Sequence, residues 1–124
     1  MHPENKKVLS IVIPVFNEIN FLNKLFDQIL IYFNEPNIEI IFVDDGSTDG
    51  SSSVLKELKE SKNYRFLFKL LKLDINSGKG KAVQTGIKNS EGKYILLQDA
   101  DLELDIKDAK EMFDMIINNK DIKC

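Results

Sequence analysis

Blocks of apolar side chains along the chain predict strands that alternate with helices. The residues Val8–Val15 are nearly all apolar and rich in β-branched side chains, which is typical of a strand buried on both faces of a parallel sheet. In Asn20–Phe33 the apolar residues recur every three or four positions, and this spacing predicts an amphipathic helix. Glu39–Val43 is predicted to be a second buried strand, and the apolar spacing after Asp49 predicts a second helix that ends near Ser61.

The second half of the chain continues the same alternation. Phe66–Leu73 mixes phenylalanine, leucine and lysine, which favours a strand and leaves a helix as the alternative. A loop is predicted at Asn76–Gly80, and the small residues among positions 82–87 predict a short helix that can approach a sheet closely. Tyr94–Gln98 is predicted to be another buried strand, and the apolar spacing of residues 106–118 predicts a final amphipathic helix.

Four strand-then-helix units in this order indicate an α/β fold with a mostly parallel sheet and helices on both faces. Ligands of such sheets bind beyond the carboxyl ends of the strands. Three polar clusters, Asn17–Glu18, Asp44–Gly46 and Asp99–Asp101, directly follow predicted strands, so we expect them to meet at one rim. No long linker interrupts the chain, which predicts a polar leader at residues 1–7 and one domain at residues 8–124.

The composition argues against several classes of function. With 20 acidic and 17 basic residues, the 124-residue chain has a formal charge of −3, whereas nucleic-acid-binding surfaces need a basic excess. The longest apolar run, Val8–Phe16, is nine residues long and too short to cross a bilayer. The single cysteine, Cys124, excludes an intramolecular disulfide, and the single histidine, His2, argues against a Ser-His-Asp hydrolase or a histidine-ligated zinc site. We expect a cytoplasmic protein.

Two acidic segments carry the strongest candidate chemistry. Asp99 and Asp101 stand one residue apart after a predicted strand, where two carboxylates can share a Mg²⁺ or Mn²⁺ ion that also contacts phosphate oxygens. A solvated loop or a helix cap is the alternative. Asp45 follows another strand, where its carboxylate can accept hydrogen bonds from a base or from ribose hydroxyls. The alternative there is that Asp45 and Ser47 cap the following helix.

Two further segments have the residue types of a nucleotide site. Pro14 ends a central strand and lacks the N–H of a ladder bond, so we expect something other than sheet pairing at that edge. Phe16 offers a flat face on which a base could stack, with a core position as the alternative. Gly78–Lys81 could bind an anion at a helix start through backbone amides and two ammonium groups. It matches neither standard phosphate-loop pattern, and a surface loop with solvated lysines is the alternative.

Four motifs occur together and in order, at residues 11–18, 43–49, 76–81 and 97–103, with the sequences IVIPVFNE, VDDGSTD, NSGKGK and LQDADLE. From about residue 8 to residue 105, the chain resembles family 2 glycosyltransferases, specifically the dolichyl- or polyprenyl-phosphate sugar synthase branch. The resemblance implies a glycosyltransferase A-type, Rossmann-like fold. It also implies transfer of a sugar from a nucleotide diphosphate sugar with inversion at the anomeric carbon.

The resemblance assigns roles to single residues at the matching positions. Phe16 stands where many relatives carry tyrosine, so stacking on a base survives while a hydroxyl contact is lost. Asp101 would be the catalytic residue through a Mg²⁺ or Mn²⁺ ion that stabilises the charge on the leaving diphosphate. The implied nucleotide-binding residues are Pro14, Phe16, Glu18, Asp45, Gly46, Lys79 and Asp99, and the implied metal ligands are Asp99, Asp101 and Glu103.

The resemblance also implies a wider context. The acceptor of this branch is a lipid phosphate, whose oxygen is already anionic, and the protein would then lie peripherally at the inner face of a membrane. Family members are longer, so we expect the chain to be a truncated, donor-binding part that transfers sugar poorly and exposes a sheet edge that favours a homo-oligomer. The alternatives are a nucleotide-sugar-binding module without transfer activity and a phosphoacceptor signalling domain. The latter explains Asp44 and Asp45 but not the other motifs.

Overall fold

The computed structural model describes residues 6–101 and 105–118. Within these ranges the chain forms four strand-then-helix units, as predicted. Among the helices of these ranges, none is long and apolar enough to span a bilayer. The elements are β1 (Leu9–Val15), α1 (Ile19–Tyr32), β2 (Ile38–Asp45), α2 (Ser51–Ser61), β3 (Leu67–Leu73), α3 (Lys79–Lys88), β4 (Tyr94–Leu97) and α4 (Ile106–Asn118).

The strands form one sheet in the order β3-β2-β1-β4, and every neighbouring pair is parallel. β1 is central and pairs with β2 along its whole length, whereas β4 pairs with β1 only as far as Val12, opposite Leu97. The carboxyl ends of the strands therefore lie at one edge of the sheet. This confirms the parallel α/β fold, and the ambiguous segment Phe66–Leu73 contains a strand rather than a helix.

Helices cover both faces of the sheet, because the side chains of a strand point alternately to opposite sides. Ile11 and Ile13 of β1 join the main core with residues of α1, α2 and α4, whereas Val12 joins a smaller core with Ala82 of α3. α3 approaches the sheet closely at Gly86, where a Cβ atom would lie 2.4 Å from Val12 Cγ1. The predicted helices on two faces and the predicted close approach of a helix with small residues are both confirmed.

Two element boundaries next to the rim differ from the prediction. β2 continues to Asp45 instead of ending at Val43, because Asp44 and Asp45 still pair with β3 and are both buried. The first acidic pair is thus part of the sheet and not of a turn. α3 begins two residues earlier than expected, at Lys79, since a glycine in the first turn does not prevent a helix from starting there.

β4 is a half-exposed edge strand, so the prediction of a buried strand at Tyr94–Gln98 is wrong. Tyr94 and Leu96 pack against the main core, but Ile95 is 43% exposed and Leu97 is 47% exposed. In the part of the chain that the structure describes, β4 has a strand neighbour on one side only, and α3 packs mainly over β1 and β2. The continuous apolar run of β4 predicted a strand buried on both faces. In the structure only the face with Tyr94 and Leu96 is covered.

A buried charged cluster ties the sheet together at the end opposite the rim. Glu39 of β2 is fully buried, and its Oε1 accepts hydrogen bonds from Ser10 Oγ (2.6 Å) and the backbone N–H of Glu91 (2.8 Å). Its Oε2 forms an ion pair with Lys69 Nζ at 2.7 Å. The angles of this contact are not those of a hydrogen bond, so the attraction is one of charge. Lys69 Nζ also lies 2.8 Å from the carboxylate of Glu91. Burial alone would lower the pKa of Lys69, but the two neighbouring glutamate carboxylates outweigh this effect and raise the pKa.

Lys69→Met is expected to destabilise the protein by about 3–5 kcal/mol, because it leaves the carboxylate of Glu39 buried without its cation. The raised pKa of Lys69 means that its stabilisation is complete below the ordinary lysine value of 10.5 and is lost only as the pH rises above it. Urea unfolding should therefore show that Lys69→Met lowers the free energy of unfolding by the same amount from about pH 6 to about pH 9.

Lys72→Met is the matched control, because Lys72 is exposed on the same strand. It should change stability by less than about 0.5 kcal/mol. Equal stabilities of the two methionine variants would show that the buried pair contributes nothing.

Candidate functional site

An open cleft of about 400 Å³ lies at the carboxyl ends of the strands. All three predicted polar clusters contribute to it, so Asp45 and Asp101 share one cleft, and the prediction that the clusters meet at one rim is confirmed. Of the residues assigned from the motifs, Gly46 does not line the cleft, and Glu103 lies outside the described residues. The lining residues are Pro14, Val15, Phe16, Glu18, Asp45, Asn76, Gly78, Lys79, Asp99, Ala100 and Asp101.

Phe16 lines the cleft and is not part of the core. It is 44% exposed, so the alternative of a core aromatic is wrong. β4 stops pairing with β1 at Val12, two residues before Pro14, so the missing N–H of the proline removes no ladder bond with β4. On the side of β4, the backbone at the end of β1 therefore borders the cleft, while its other side still pairs with β2.

Glu18 immediately precedes α1, but its side chain does not cap that helix. Its backbone N–H donates to Ser51 Oγ at 3.0 Å. The pKa of the Glu18 carboxyl is raised, first by burial and then by neighbouring negative charges. These are the charges of Asp101, Asp49 and Asp99, in decreasing order of effect. The carboxylates around the cleft therefore repel one another, and a bound cation would relieve this repulsion.

Asp45 holds the loop between β3 and α3. Its carboxylate is buried and accepts hydrogen bonds from the backbone N–H groups of Ser77 at 2.7 Å and Gly78 at 2.9 Å. Asn76 Nδ2 donates to the same carboxylate at 3.2 Å. The amide of Gly78, in the predicted anion-binding turn, and the amide of Ser77 just before that turn are thus bound to a carboxylate of the chain itself.

The side chain that binds the first amide of α2 is that of Asp49, which precedes the N-cap residue Gly50, so the alternative that Asp45 and Ser47 cap this helix is wrong. Asp49 Oδ1 accepts a hydrogen bond from the backbone N–H of Ser51 at 2.9 Å. Burial alone would raise the pKa of Asp49, but its hydrogen bonds outweigh this effect and lower the pKa. Ser47 Oγ instead accepts from the backbone N–H of Asn17 at 3.0 Å. The two expected caps therefore contact two different neighbouring loops.

Gly46 shapes the cleft without lining it. Its φ of +72° lies in the left-handed region, and a Cβ atom there would be 2.5 Å from Asn76 N and 2.7 Å from Ile75 C. The glycine thus lets the loop before α3 approach the end of β2. Asn76 is a cleft residue that the sequence-based assignment omitted; its signal was its position at the start of the NSGKGK motif.

Lys79 and Asp99 form an ion pair in the cleft. Lys79 begins α3 and Asp99 follows β4, so the pair joins two segments of the rim. The side chains are 67% and 25% exposed, and an ion pair this open to water contributes little to stability. Each member can therefore exchange its partner for a ligand of opposite charge.

The carboxylates of the cleft suit a divalent cation that arrives with a phosphate ligand. Across residues 6–101 and 105–118, no group of three or more acidic, histidine or cysteine side chains could hold a metal ion unaided. Mg²⁺ nevertheless needs only one or two carboxylates when substrate phosphates and waters complete its coordination. Asp99 and Asp101 line the same cleft and provide such a donor set.

Comparison with known proteins gives a family match over most of the chain. A family model described as Glycosyl transferase family 2 matches residues 10–124. The dolichyl-phosphate beta-glucosyltransferases of Dictyostelium discoideum and Saccharomyces cerevisiae are 36% and 34% identical to the chain. Each alignment covers 93% of this chain, and 37% and 36% of the respective relatives. The chain thus spans little more than a third of the length of these curated relatives.

Solved structures share the fold. The crystal structure of S. aureus TarS 1-349 in complex with UDP is similar with a TM-score of 0.69 and 25% identity, over 87% of this chain and 32% of that chain. The mannosyltransferase PcManGT from Pyrobaculum calidifontis, solved with GDP-Man and Mn²⁺, gives a TM-score of 0.70 at 24% identity, over 77% of this chain and 28% of that chain. The glycosyltransferase A-type fold expected from the sequence is confirmed.

Gly46→Ala is expected to destabilise the protein by roughly 2–4 kcal/mol, because the new Cβ meets the backbone of Asn76 and the positive φ becomes strained. Gly80→Ala is the matched control, since a Cβ atom there meets nothing within 4 Å. Alanine favours a helix over glycine, so this variant should be as stable as the wild type or slightly more stable. Urea unfolding that gives both variants the same stability would contradict the requirement for a glycine after β2.

Glu18→Gln is expected to raise the melting temperature near neutral pH. Because the pKa of Glu18 is raised in the folded protein, its ionisation opposes folding at pH values above that pKa, and this effect is absent below the ordinary value of 4.5. Thermal unfolding without divalent cations should therefore show a larger gain at about pH 7 than at about pH 4. Glu57→Gln, on the exposed surface of α2, is the control. A gain that does not depend on pH would contradict the electrostatic explanation.

Proposed function

The chain belongs to glycosyl transferase family 2, and on that premise we propose that its cleft binds the nucleotide diphosphate sugar donor of an inverting sugar transfer. One observation carries the proposal: a single cleft at the carboxyl ends of the strands combines an exposed aromatic ring, a lysine and several carboxylates. The TarS structures with UDP and UDP-GlcNAc, at 25% identity, support a nucleotide ligand for a chain of this fold.

The nucleoside end of the donor would lie against Pro14 and Phe16. An exposed aromatic ring in a cleft can stack on a base, which buries apolar surface on both partners. Asp45 borders the same space and would accept a hydrogen bond from the base or the ribose. A carboxylate can accept about four hydrogen bonds. The carboxylate of Asp45 accepts three from the loop before α3. Acceptor capacity therefore remains for a ligand.

The diphosphate end would lie between Lys79 and the carboxylates of Asp99 and Asp101. We propose that these two aspartates, with Glu103 as a further ligand, hold Mg²⁺ or Mn²⁺. The bound cation would supply positive charge for the leaving diphosphate as the glycosyl bond breaks, which makes Asp101 the proposed catalytic residue. The ammonium group of Lys79 would contact the same phosphate oxygens, and its ion pair with Asp99 supports this proposal because it brings the two groups together in the cleft.

The relatives suggest the acceptor. Both relatives described above are named dolichyl-phosphate beta-glucosyltransferases, which supports a lipid phosphate. A phosphate oxygen is already anionic and needs no general base, whereas a hydroxyl acceptor would need one. Such an acceptor would bring the protein to the cytoplasmic surface of a membrane. Nucleotide-sugar binding without transfer is the second candidate, since the cleft alone accounts for binding of the donor.

Asp101→Asn is expected to abolish most of the effect of Mn²⁺ on nucleotide binding, because it removes one of the two proposed carboxylate ligands. In calorimetric titrations of UDP, Mn²⁺ should raise the affinity of the wild type at least roughly tenfold, the usual size of such a coupling. Asp74→Asn is the matched control, since Asp74 is exposed and does not line the cleft; it should keep the full effect.

Thermal shifts with UDP, GDP and their sugars would identify the donor, because a ligand that binds only the folded state raises its melting temperature. Failure of every nucleotide to bind in the presence of Mn²⁺ would contradict the donor site. Formation of a dolichyl-phosphate sugar from the donor that binds would select transfer, and tight binding without product would select the binding module.

A further inference from the structure

Asn17 joins the loop after β1 to the turn after β2. Its Oδ1 accepts a hydrogen bond from the backbone N–H of Thr48 at 2.7 Å, and its Nδ2 lies 3.4 Å from Thr48 Oγ1. Its own backbone N–H donates to Ser47 Oγ at 3.0 Å. The φ of Asn17 is +55°, in the left-handed region that asparagine tolerates better than most residues. The side-chain contacts therefore hold an unusual backbone conformation in place.

The turn after β2 and the first residue of α2 also supply the side-chain acceptors that the start of α1 lacks. α1 has no side-chain cap of its own and no acidic residue in its first turn. The backbone N–H of Ile19 donates to Asp49 Oδ2 at 3.2 Å, and that of Glu18 donates to Ser51 Oγ at 3.0 Å. The hydroxyl of Ser51 in turn donates to Asp49 Oδ1 at 2.6 Å. One carboxylate thus serves the starts of two helices.

We propose that Asn17 is a positioning residue that sets the preference of the cleft for the nucleoside part of its ligand, with Ser47 and Thr48 as its hydrogen-bond partners. Asn17 lies between Phe16 and Glu18, both of which line the cleft. Its backbone conformation therefore controls where these two side chains project. The inference rests on the proposed function, since it requires a nucleotide in the cleft.

The groups proposed for the diphosphate belong to other elements. Lys79 begins α3 and Asp99 follows β4, whereas Asn17 lies between β1 and α1. Loosening the loop at Asn17 should weaken the contacts to the base more than those to the phosphates. Stacking and base-edge hydrogen bonds depend on small displacements, whereas charge attraction falls slowly with distance. We therefore expect the cleft to lose its preference for a nucleotide over the phosphate groups alone, while it still binds phosphate.

Asn17→Gly tests the inference, because glycine adopts the positive φ readily and removes only the side-chain bridge. Calorimetry with UDP and with inorganic pyrophosphate, each with Mn²⁺, should show UDP affinity falling roughly tenfold and pyrophosphate affinity changing less than about twofold. Lys62→Gly is the matched control. Lys62 also has a positive φ, of +54°, but it lies at the end of α2 outside the cleft, so its variant should bind both ligands as the wild type does.

Two further measurements separate positioning from general damage. Asn17→Asp keeps an oxygen for the Thr48 N–H and tolerates the same φ, so it should restore the ratio of UDP to pyrophosphate affinity. Amide hydrogen exchange at Thr48 should be slow in the wild type and in Asn17→Asp, and fast in Asn17→Gly, without any ligand present.

An unchanged affinity ratio in Asn17→Gly overturns the inference and leaves the donor site intact. A ratio that Asn17→Asp fails to restore, with Thr48 exchange still slow, also overturns it. A wild type that binds neither pyrophosphate nor any of the nucleotides screened by thermal shift contradicts the proposed function, and the inference fails with it.

Discussion

The segment from the last residue of β2 to the first residue of α2 is the constraint on which the cleft depends. Where parallel strands end, the adjoining loops lose the ladder that paired their backbone groups, and a carboxylate can accept hydrogen bonds from several of their amides at once. Asp45 accepts from the loop before α3 on one side. On the other side, Asp49 and Ser51 accept from the backbone at the start of α1. Two loops that carry cleft residues are thereby fixed to the end of one strand.

Charge is arranged in opposite ways at the two ends of the sheet. At the amino end, Glu39 is fully buried, but Lys69 lies against its carboxylate and hydrogen bonds satisfy its other oxygen. At the carboxyl end, the pKa of Glu18 is raised by burial and by carboxylates such as Asp101. The first arrangement stabilises the fold, whereas the second opposes folding until positive charge is added. Unfavourable charge of this kind is typical of binding sites.

The types and order of the elements were predictable because they depend on local periodicity. The alternation of strands and helices was sufficient to predict a parallel sheet, and a parallel sheet places its polar strand ends at one rim; this is why Asp45 and Asp101 were expected in one cleft. The two errors of burial have a common cause. The end of β2 was taken for a turn because Asp44 and Asp45 are charged, and β4 was taken for a buried strand because Tyr94–Leu97 is apolar. Burial depends on neighbours that a residue pattern does not specify.

The sequence by itself determined the order of strands and helices, the rim at which the cleft forms and, through four motifs, the family. Only the tertiary structure decided which polar groups contact each other: Asp45 holds the loop before α3, Gly46 makes room for that loop, and Asn17 bridges to Thr48. The physical reason is the range of the interactions. Periodicity and helix caps involve residues within about four positions of each other, whereas Asn17 and Thr48 are 31 positions apart and meet because β1 and β2 pair.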